Sequence, residues 1–184
     1  MTFHLHPADS VDKPGDLNDP LPDGDALADQ DLNPPCVLVF NASDPSGAGG
    51  LAGDGLAMGS VGAHMLPVVT GAYARDTAEI FDHFAFDEEA IAEQTRAILE
   101  DVEVQLIKVG FAGTPEALST IAETAADYPE VPVVAYMPNL SWWDENEIDA
   151  YLDAFRDLVL PQTTVLVGNH STLWLPTSTV AVSY

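Results

Sequence analysis

A glycine-rich turn holds the first residues in this chain whose types and spacing suit ligand chemistry. Seven of the 13 glycines fall between Gly47 and Gly62, shortly after the apolar run at 36–40. Backbone N–H groups in such a turn approach a ligand closely, and the N-terminus of the following helix favours negative charge. The turn lacks the G-x-x-x-x-G-K-[ST] spacing of a P-loop. The pattern therefore predicts a different kind of ligand-binding turn between a strand and a helix.

The same glycines allow two other interpretations. Gly47, Gly49 and Ala52 match a relaxed dinucleotide fingerprint, although the preceding Ser-Asp-Pro-Ser makes the turn longer than that fingerprint needs. The glycines would also suit close packing of the helix, without any ligand. Small-molecule binding, dinucleotide binding and packing all remain open on these residues alone.

Isolated histidines and a single cysteine add little further chemistry. Because Cys36 is the one cysteine, it forms neither an internal disulfide nor a CxxC metal site, and we expect a small buried residue at the start of a strand. His64 and His83 stand alone, and His170 next to Ser171 lacks a third member for a triad. We interpret all three histidines as structural or incidental.

Alternating strands and helices must position the chemically interesting residues. We predict strands at 36–40, 65–70, 80–86, 104–109, 131–136 and 164–167, and helices at 51–61, 87–99, 114–128 and 144–160. This alternation predicts right-handed βαβ units and a mostly parallel sheet flanked by helices, an α/β fold. Ligands of such sheets bind at the carboxyl ends of the strands. The loops expected at that edge follow Phe40, Thr70, Val109, Tyr136 and Val167.

The charge balance excludes several classes of partner. The chain has 30 acidic and 5 basic residues, a net charge of −25, and the basic residues are scattered singly. Nucleic acids and anionic membranes are held by clustered Lys and Arg, so we expect neither as a partner. The sequence has no long apolar run, and its acidic start does not suit a signal peptide, which together predict a cytoplasmic protein.

Composition divides the chain into two parts. Residues 1–35 hold eight Asp and six Pro with almost no apolar periodicity, so we predict a disordered acidic tail. His4 and His6 in that tail could bind a metal, but we interpret them as incidental. Residues 36–184 hold enough apolar material for one domain with a single core.

Five stretches of this domain together resemble one known family. They are residues 41–54, 61–63, 68–77, 107–111 and 160–169, and the similarity covers about residues 36–172. Residues 43–50 read Ser-Asp-Pro-Ser-Gly-Ala-Gly-Gly, which is similar to the S-D-x-S-G-G-A-G turn of hydroxymethylpyrimidine and phosphomethylpyrimidine kinases. Those kinases are members of the ribokinase-like superfamily, so the resemblance implies a ribokinase-like fold.

The resemblance implies a reaction and a set of site residues. The reaction is transfer of the ATP γ-phosphoryl group, with Mg2+, to the hydroxymethyl oxygen of a pyrimidine or to its monophosphate, in thiamine biosynthesis. The residues implied to bind this small-molecule substrate are Ala42, Ser43, Asp44, Gly47, Asp54, Tyr73, Arg75 and Phe111. Asn169 is implied to lie near the nucleotide phosphates. Phosphoryl transfer requires positioning and charge neutralisation, and an acidic protein must take positive charge from a metal.

Several positions depart from the family pattern. Arg75 stands where Gln is usual. A guanidinium only donates hydrogen bonds whereas an amide also accepts them, so the identity of the ring that the site recognises stays open. Phe111 replaces a usual Met and Tyr73 a usual Thr or Val, which predicts a more aromatic pocket. Tyr136 and Thr172 replace a usual Asp and Glu, so two carboxylates that would serve the metal are lost.

The end of the chain lacks a feature that the resemblance implies. The family places a catalytic Asp or Cys in a late glycine-rich loop, whereas Gly168 is the single glycine after Gly113. We therefore expect a partial domain, incomplete at its C-terminus, and assign no catalytic residue and no metal ligand. The alternative function is a non-catalytic module that binds a pyrimidine-like molecule. An uncovered sheet edge in a partial domain would favour self-association into a homo-oligomer.

Two motifs before the last long helix allow both a functional and a structural interpretation. Trp142 and Trp143 would stack on a ligand ring or close a loop over the core, and we favour the second. Asp144 could substitute for a missing metal ligand, but its place at a helix start favours a solvated cap.

Overall fold

The computed structural model describes residues 33–169 and Thr172. Its strands are β1 (Cys36–Ser43), β2 (His64–Arg75), β3 (Ile80–Ala85), β4 (Leu106–Val109), β5 (Val133–Tyr136) and β6 (Val165–Val167). Its α-helices are α1 (Gly50–Ser60), α2 (Glu88–Leu99), α3 (Pro115–Asp127) and α4 (Glu145–Ala154). The predictions for the tail at 1–32, including His4 and His6, and for His170 and 173–184 lie outside these residues.

The six strands form one sheet in the order β3-β2-β1-β4-β5-β6. Every neighbouring pair is parallel except β2 and β3, which are antiparallel. β1 lies between β2 and β4, and its residues 37–42 are all buried, as expected for an apolar run covered on both faces of a parallel sheet. The predicted mostly parallel α/β sheet is confirmed.

Capped helices cover the sheet. The Thr114 hydroxyl accepts a hydrogen bond from the Ala117 N–H, and Pro115 occupies the first turn, so α3 begins as predicted. Asp87 and Asp144 cap α2 and α4 in the same way, which confirms Asp144 as a helix-start carboxylate. Among the described residues, no helix is long and apolar enough to cross a membrane.

The second strand is longer than predicted. The expected strand ended at residue 70, whereas β2 continues to Arg75. The reason is the pairing of its second half with β3, in which Gly71 lies opposite Ala85 and Tyr73 opposite His83. Tyr73 and Arg75 therefore lie in a strand held on one side by β3, and not in a free loop after Thr70.

The helix predicted over 144–160 is interrupted. α4 ends at Ala154 and is followed by a π-helical turn, Phe155–Val159, and a short 3-10 turn. Within the π-helical turn Leu158 is 39% exposed, while Val159 is buried. The wider π-helical turn changes which residues face the core, so the 3.6-residue spacing fails there.

Candidate functional site

A small cavity lies at the edge of the sheet where β1, β2 and β5 end. Its volume is about 210 Å3. It is lined by Asn41, Asp44, Gly49, Gly50, Tyr73, Arg75, Ile80, Phe111, Tyr136, Pro138, Asn139 and Trp142. These residues come from segments distant in sequence that meet because the parallel strands end at one edge.

Four of the predicted substrate residues line this cavity and four do not. Asp44, Tyr73, Arg75 and Phe111 are among its lining residues. The other four, Ala42, Ser43, Gly47 and Asp54, belong to β1, its following turn and α1 but are not among the lining residues. The predicted ligand contacts of these four residues stay predictions.

Asp44 and Arg75 form an ion pair at the wall of the cavity. Arg75 Nη1 lies 3.2 Å from Asp44 Oδ2, and the Asp44 side chain is only 1% exposed. Asp44 Oδ1 also accepts hydrogen bonds from the backbone N–H and the hydroxyl of Ser46, at 2.8 and 2.6 Å. A buried carboxylate needs such partners, because an unpaired charge in this position would be strongly destabilising. The pair therefore fixes the position of the guanidinium.

A second polar network connects β1, α1 and β4 beside the cavity. Asn41 Nδ2 donates to Asp54 Oδ2 at 2.9 Å, and Lys108 Nζ lies 2.5 Å from Asp54 Oδ1. Asn41 Oδ1 accepts the Phe111 N–H at 3.1 Å, which places the Phe111 backbone against the end of β1. A side chain at Gly110 would collide with the Asn41 amide, so glycine is required there. Both oxygens of Asp54 thus have partners within the protein.

Aromatic rings form one side of the cavity. Phe111 stacks on Tyr73, with ring centroids 5.7 Å apart, and meets Trp142 edge-on at 5.8 Å. Trp143 stacks on Trp142 and contacts Tyr151 in the core. Burial, with smaller contributions from Tyr151 and Asp44, raises the pKa of Tyr73, so its hydroxyl stays protonated. The tryptophan pair thus closes its loop over the core, as favoured, and Trp142 also lines the cavity.

The glycine-rich turn brings backbone to the cavity. Gly50 has φ +55°, and a side chain there would collide with the carbonyl oxygen of Ala42. Gly47 has φ +70° and open space around its Cα. Gly49 is the N-cap of α1 and supplies no capping side chain. The turn therefore requires glycine at Gly50 for both conformation and close approach. At Gly49 and Gly50 it presents backbone rather than side chains to the cavity, beside the Asp44 side chain.

His83 lies behind the rings of Tyr73, Phe111 and Trp142, which form the aromatic wall of the cavity. Its ring is 4.8 Å from that of Phe111 and 5.3 Å from that of Tyr73. Burial lowers the pKa of His83 to about 4, so the ring is neutral near pH 7. Its Nε2 has no hydrogen-bond partner within the described part of the chain. The position among aromatic rings agrees with the structural interpretation of this histidine.

Asn169 and Thr172 hold each other after β6. Asn169 Oδ1 accepts the Thr172 N–H at 2.9 Å, and the Thr172 hydroxyl accepts the Asn169 N–H at 3.1 Å. Asn169 is not among the residues that line the 210 Å3 cavity. Its predicted role near a nucleotide phosphate stays a prediction.

A larger outer cavity adjoins the first one. Its volume is about 410 Å3, and Arg75, Ile80, Asn139 and Trp142 line both cavities. The residues that line only the outer cavity come from the β2–β3 turn and from the loop before α4. Arg75 therefore stands between an inner and an outer space.

Comparison with known proteins identifies the family. Residues 44–175 match the model of the phosphomethylpyrimidine kinase family. The chain belongs to this family. It is 28% identical over 138 residues to the hydroxymethylpyrimidine/phosphomethylpyrimidine kinase of Streptomyces coelicolor, covering 75% of this chain and 51% of that protein. The enzyme of the same name from Mycobacterium tuberculosis is 29% identical over 149 residues, with 78% and 53% covered. The chain spans about half the length of these relatives.

Solved structures confirm the fold. A phosphomethylpyrimidine kinase from Clostridium difficile superposes with a TM-score of 0.69 at 21% identity, covering 82% of this chain and 66% of that chain. A pyridoxal kinase from Bacillus subtilis, solved as an ADP complex, gives a TM-score of 0.70 at 21% identity, with 79% and 55% covered. The predicted ribokinase-like α/β fold is therefore confirmed.

Sequence reasoning missed several residues that line the cavity. Asn41 lay in the family-like stretch at 41–54 but was assigned no role, and Asn139 was not singled out. Both could have been found from their positions, because Asn41 lies near the end of β1 and Asn139 follows β5 at the same sheet edge. Ile80 carries no such signal, since only the pairing of β2 with β3 brings it to the cavity.

Proposed function

We propose that this chain acts as a cytoplasmic, ATP-dependent hydroxymethylpyrimidine or phosphomethylpyrimidine kinase, and that the 210 Å3 cavity binds the ring of the substrate. The observation that supports the proposal most strongly is the cavity at the carboxyl edge of the sheet. Residues from the glycine-rich turn, from β2 and from the end of β4 line it, and all of them lie in or close to the family-like region. The product would enter the synthesis of thiamine, as the names of several relatives indicate.

The size and lining of the inner cavity favour a single flat ring. A volume of about 210 Å3 lies below the usual range for drug-sized ligands, roughly 300–1,000 Å3. Tyr73, Phe111 and Trp142 offer aromatic surface to the faces or edges of such a ring. A dinucleotide, the reading suggested by Gly47, Gly49 and Ala52, would need more space than this cavity provides.

We propose ATP as the phosphoryl donor, used with Mg2+. Structural neighbours solved with ADP, and with AMP-PCP and pyridoxal, support a nucleotide donor. Among the described residues no group of three or more His, Cys, Asp or Glu side chains could hold a metal ion. Asp44 and Asp54, the two carboxylates predicted to contact substrate, are already paired with cations. The described residues therefore do not fit a protein-built Mg2+ site, and the role proposed for them is to bind and orient the ring.

A coupled ADP-release assay on the full chain tests this function. With hydroxymethylpyrimidine and Mg-ATP we expect ADP release above the ATP-only background, and none when EDTA removes Mg2+. Trp142→Ala should raise KM for the ring about tenfold, because it removes aromatic surface from the cavity. Phe81→Ala is the matched control, since Phe81 is 63% exposed on β3 and does not line the cavity.

Two results would contradict parts of the proposal. Absence of ADP release with both hydroxymethylpyrimidine and its monophosphate would contradict kinase activity in this chain. Calorimetry with the same rings then separates the remaining possibilities. Binding without turnover would favour the non-catalytic binding module, and absence of binding would contradict the ring site itself.

A further inference from the structure

The backbone just after β4 is held by side chains rather than by a neighbouring strand. The Phe111 N–H donates to Asn41 Oδ1 at 3.1 Å, and the Phe111 carbonyl oxygen accepts the Thr70 hydroxyl at 2.7 Å. The next N–H, that of Ala112, donates to the Tyr151 hydroxyl at 3.1 Å. These three side chains come from β1, β2 and α4. Together they fix the segment whose Phe111 ring forms part of the cavity wall.

A bulge in β2 explains how Thr70 reaches this segment. β1 and β2 pair in a regular register up to Asn41 and Val69, and the register shifts at the next residues. Ala42 then lies opposite Gly71, so Thr70 has no partner in β1. Bulges of this kind redirect a side chain, and they are frequent beside active sites. The Thr70 hydroxyl thus contacts the segment that follows β4, a strand separated from β2 by β1.

Burial makes the Thr70 hydroxyl important to its acceptor. Thr70 is 0% exposed and Phe111 is 2% exposed. Among the described residues no other hydrogen bond reaches the Phe111 carbonyl oxygen. A buried carbonyl without a partner bears its full desolvation cost, which favours rotation of the peptide toward another donor. Such a rotation would displace the Phe111 ring, which packs against Tyr73 and Trp142 in the cavity wall.

We infer that Thr70 is a positioning residue for ring binding, because its hydroxyl holds the Phe111 carbonyl and so sets the place of the Phe111 ring in the cavity. Thr70 itself is not among the residues that line the cavity, so its effect passes through Phe111. The inference rests on the proposed function only in taking this cavity as the ring site.

Calorimetry with hydroxymethylpyrimidine tests the inference on the full chain. Thr70→Val removes the hydroxyl and keeps the side-chain shape, so we expect Kd to rise about tenfold, the ratio for one well-formed hydrogen bond. Thr70→Ser keeps the hydroxyl and should stay within about threefold of the wild type.

Thr95→Val is the matched control for the loss of a buried hydroxyl. Thr95 is 4% exposed on α2, and its hydroxyl donates to the Ile91 carbonyl oxygen at 2.8 Å. It does not line the cavity. The same substitution there should therefore leave Kd unchanged.

A double-mutant cycle shows whether Thr70 acts through Phe111. Phe111→Leu alone should weaken binding, because it removes an aromatic ring from the cavity wall. In the Phe111→Leu background, Thr70→Val should add less than about threefold, since the ring that it positions is absent. In the kinase assay Thr70→Val should raise KM in proportion to Kd and leave kcat within about twofold, the pattern for lost binding rather than lost chemistry.

The outcomes separate this inference from the proposed function. An unchanged Kd for Thr70→Val, equal losses for Thr70→Val and Thr70→Ser, or additive losses with Phe111→Leu would overturn the inference. Ring binding without ADP release would contradict the kinase proposal, while the Kd pattern would still support or overturn the inference. Absence of ring binding by the wild type would overturn the inference together with the ring site.

A second variant covers poor folding of Thr70→Val. Thr70→Ala removes the same hydroxyl without placing a methyl group against the Phe111 carbonyl. It should weaken ring binding by at least about threefold, and an unchanged Kd for this variant would also overturn the inference.

Discussion

Asp44 and Asp54, both predicted to contact substrate, differ in what surrounds them. Asp44 lines the cavity and holds Arg75 in place. Asp54 accepts hydrogen bonds from Lys108 and Asn41 and is not among the lining residues. The same residue type in one short motif thus acts in two ways: one carboxylate orients a side chain of the cavity, and the other connects α1 to β1 and β4.

His83 allows a pH-dependent test of the aromatic wall. Its pKa is about 4 in the folded chain against an ordinary 6.5, because burial disfavours the charged ring. Between these values the unfolded chain binds more protons than the folded chain, so stability rises with pH and is lost as the pH falls from 6.5 to 4. Because the ring is only partly buried, we expect this contribution to be about 2 kcal/mol.

Urea unfolding of His83→Phe between pH 4 and 7 measures this contribution. The variant should lose less stability than the wild type on acidification, because phenylalanine does not titrate. His64→Gln, at an exposed position on β2, is the matched control and should keep the wild-type pH dependence. Identical pH profiles for His83→Phe and the wild type would show that His83 is not buried as described.

At the scale of elements, the first strand, its turn and the first helix act together. β1 is buried on both faces, and the turn leaves it at Ser43 and enters α1 at Gly50. α1 has no buried residue and no capping side chain. The position of its N-terminus beside the cavity therefore depends on the geometry of the turn more than on helix packing.

Gly50→Ala tests that dependence. The positive φ and the collision with the Ala42 carbonyl should destabilise the chain by about 2–4 kcal/mol and weaken ring binding more than tenfold. Gly59→Ala in the same helix meets no atom within 4 Å, and the helix propensity of alanine should stabilise it by up to about 1 kcal/mol. Chemical denaturation and calorimetry measure both effects. A Gly50→Ala protein with unchanged stability would contradict the described turn.

The elements also show where pattern reasoning worked. The apolar run of β1 and the Thr114-Pro115 start of α3 were predicted because sequence neighbours alone decide them. The extension of β2 was missed, because its residues 71–75 owe their extended form to pairing with β3. The π-helical turn at Phe155–Val159 was missed because no local residue type marks an i→i+5 bond.

The molecule as a whole is dominated by negative charge. A net charge of −25 on 184 residues implies strong self-repulsion in the folded chain, since cations pair with only a few of the acids. Within residues 33–169 the cations that form ion pairs are Arg75, Arg96, Lys108 and Arg156. Most carboxylates therefore interact with one another through solvent, where salt screens them.

Salt should stabilise this protein. Raising NaCl from about 0.02 to 0.3 M shortens the Debye length from roughly 20 Å to roughly 6 Å and so screens the repulsion between carboxylates, and we expect Tm to rise by several degrees. KCl at equal ionic strength should give the same rise, because screening does not depend on the identity of the ion. Differential scanning calorimetry provides the measurement, and a Tm that stays level or falls with salt would contradict dominant self-repulsion.

The family and the α/β fold could be determined from the sequence alone, because they depend on local patterns: an apolar strand, a glycine-rich turn and capped helices. Of the eight residues predicted to contact substrate, four line the cavity. Which side chains face the ligand could not be determined in this way, because that depends on partners distant in sequence. Asp54 has Lys108 and Asn41 as its partners, and Ile80 reaches the cavity through strand pairing. Tertiary structure decided these roles, since a polar group takes its partners from the neighbours that folding brings within hydrogen-bond distance.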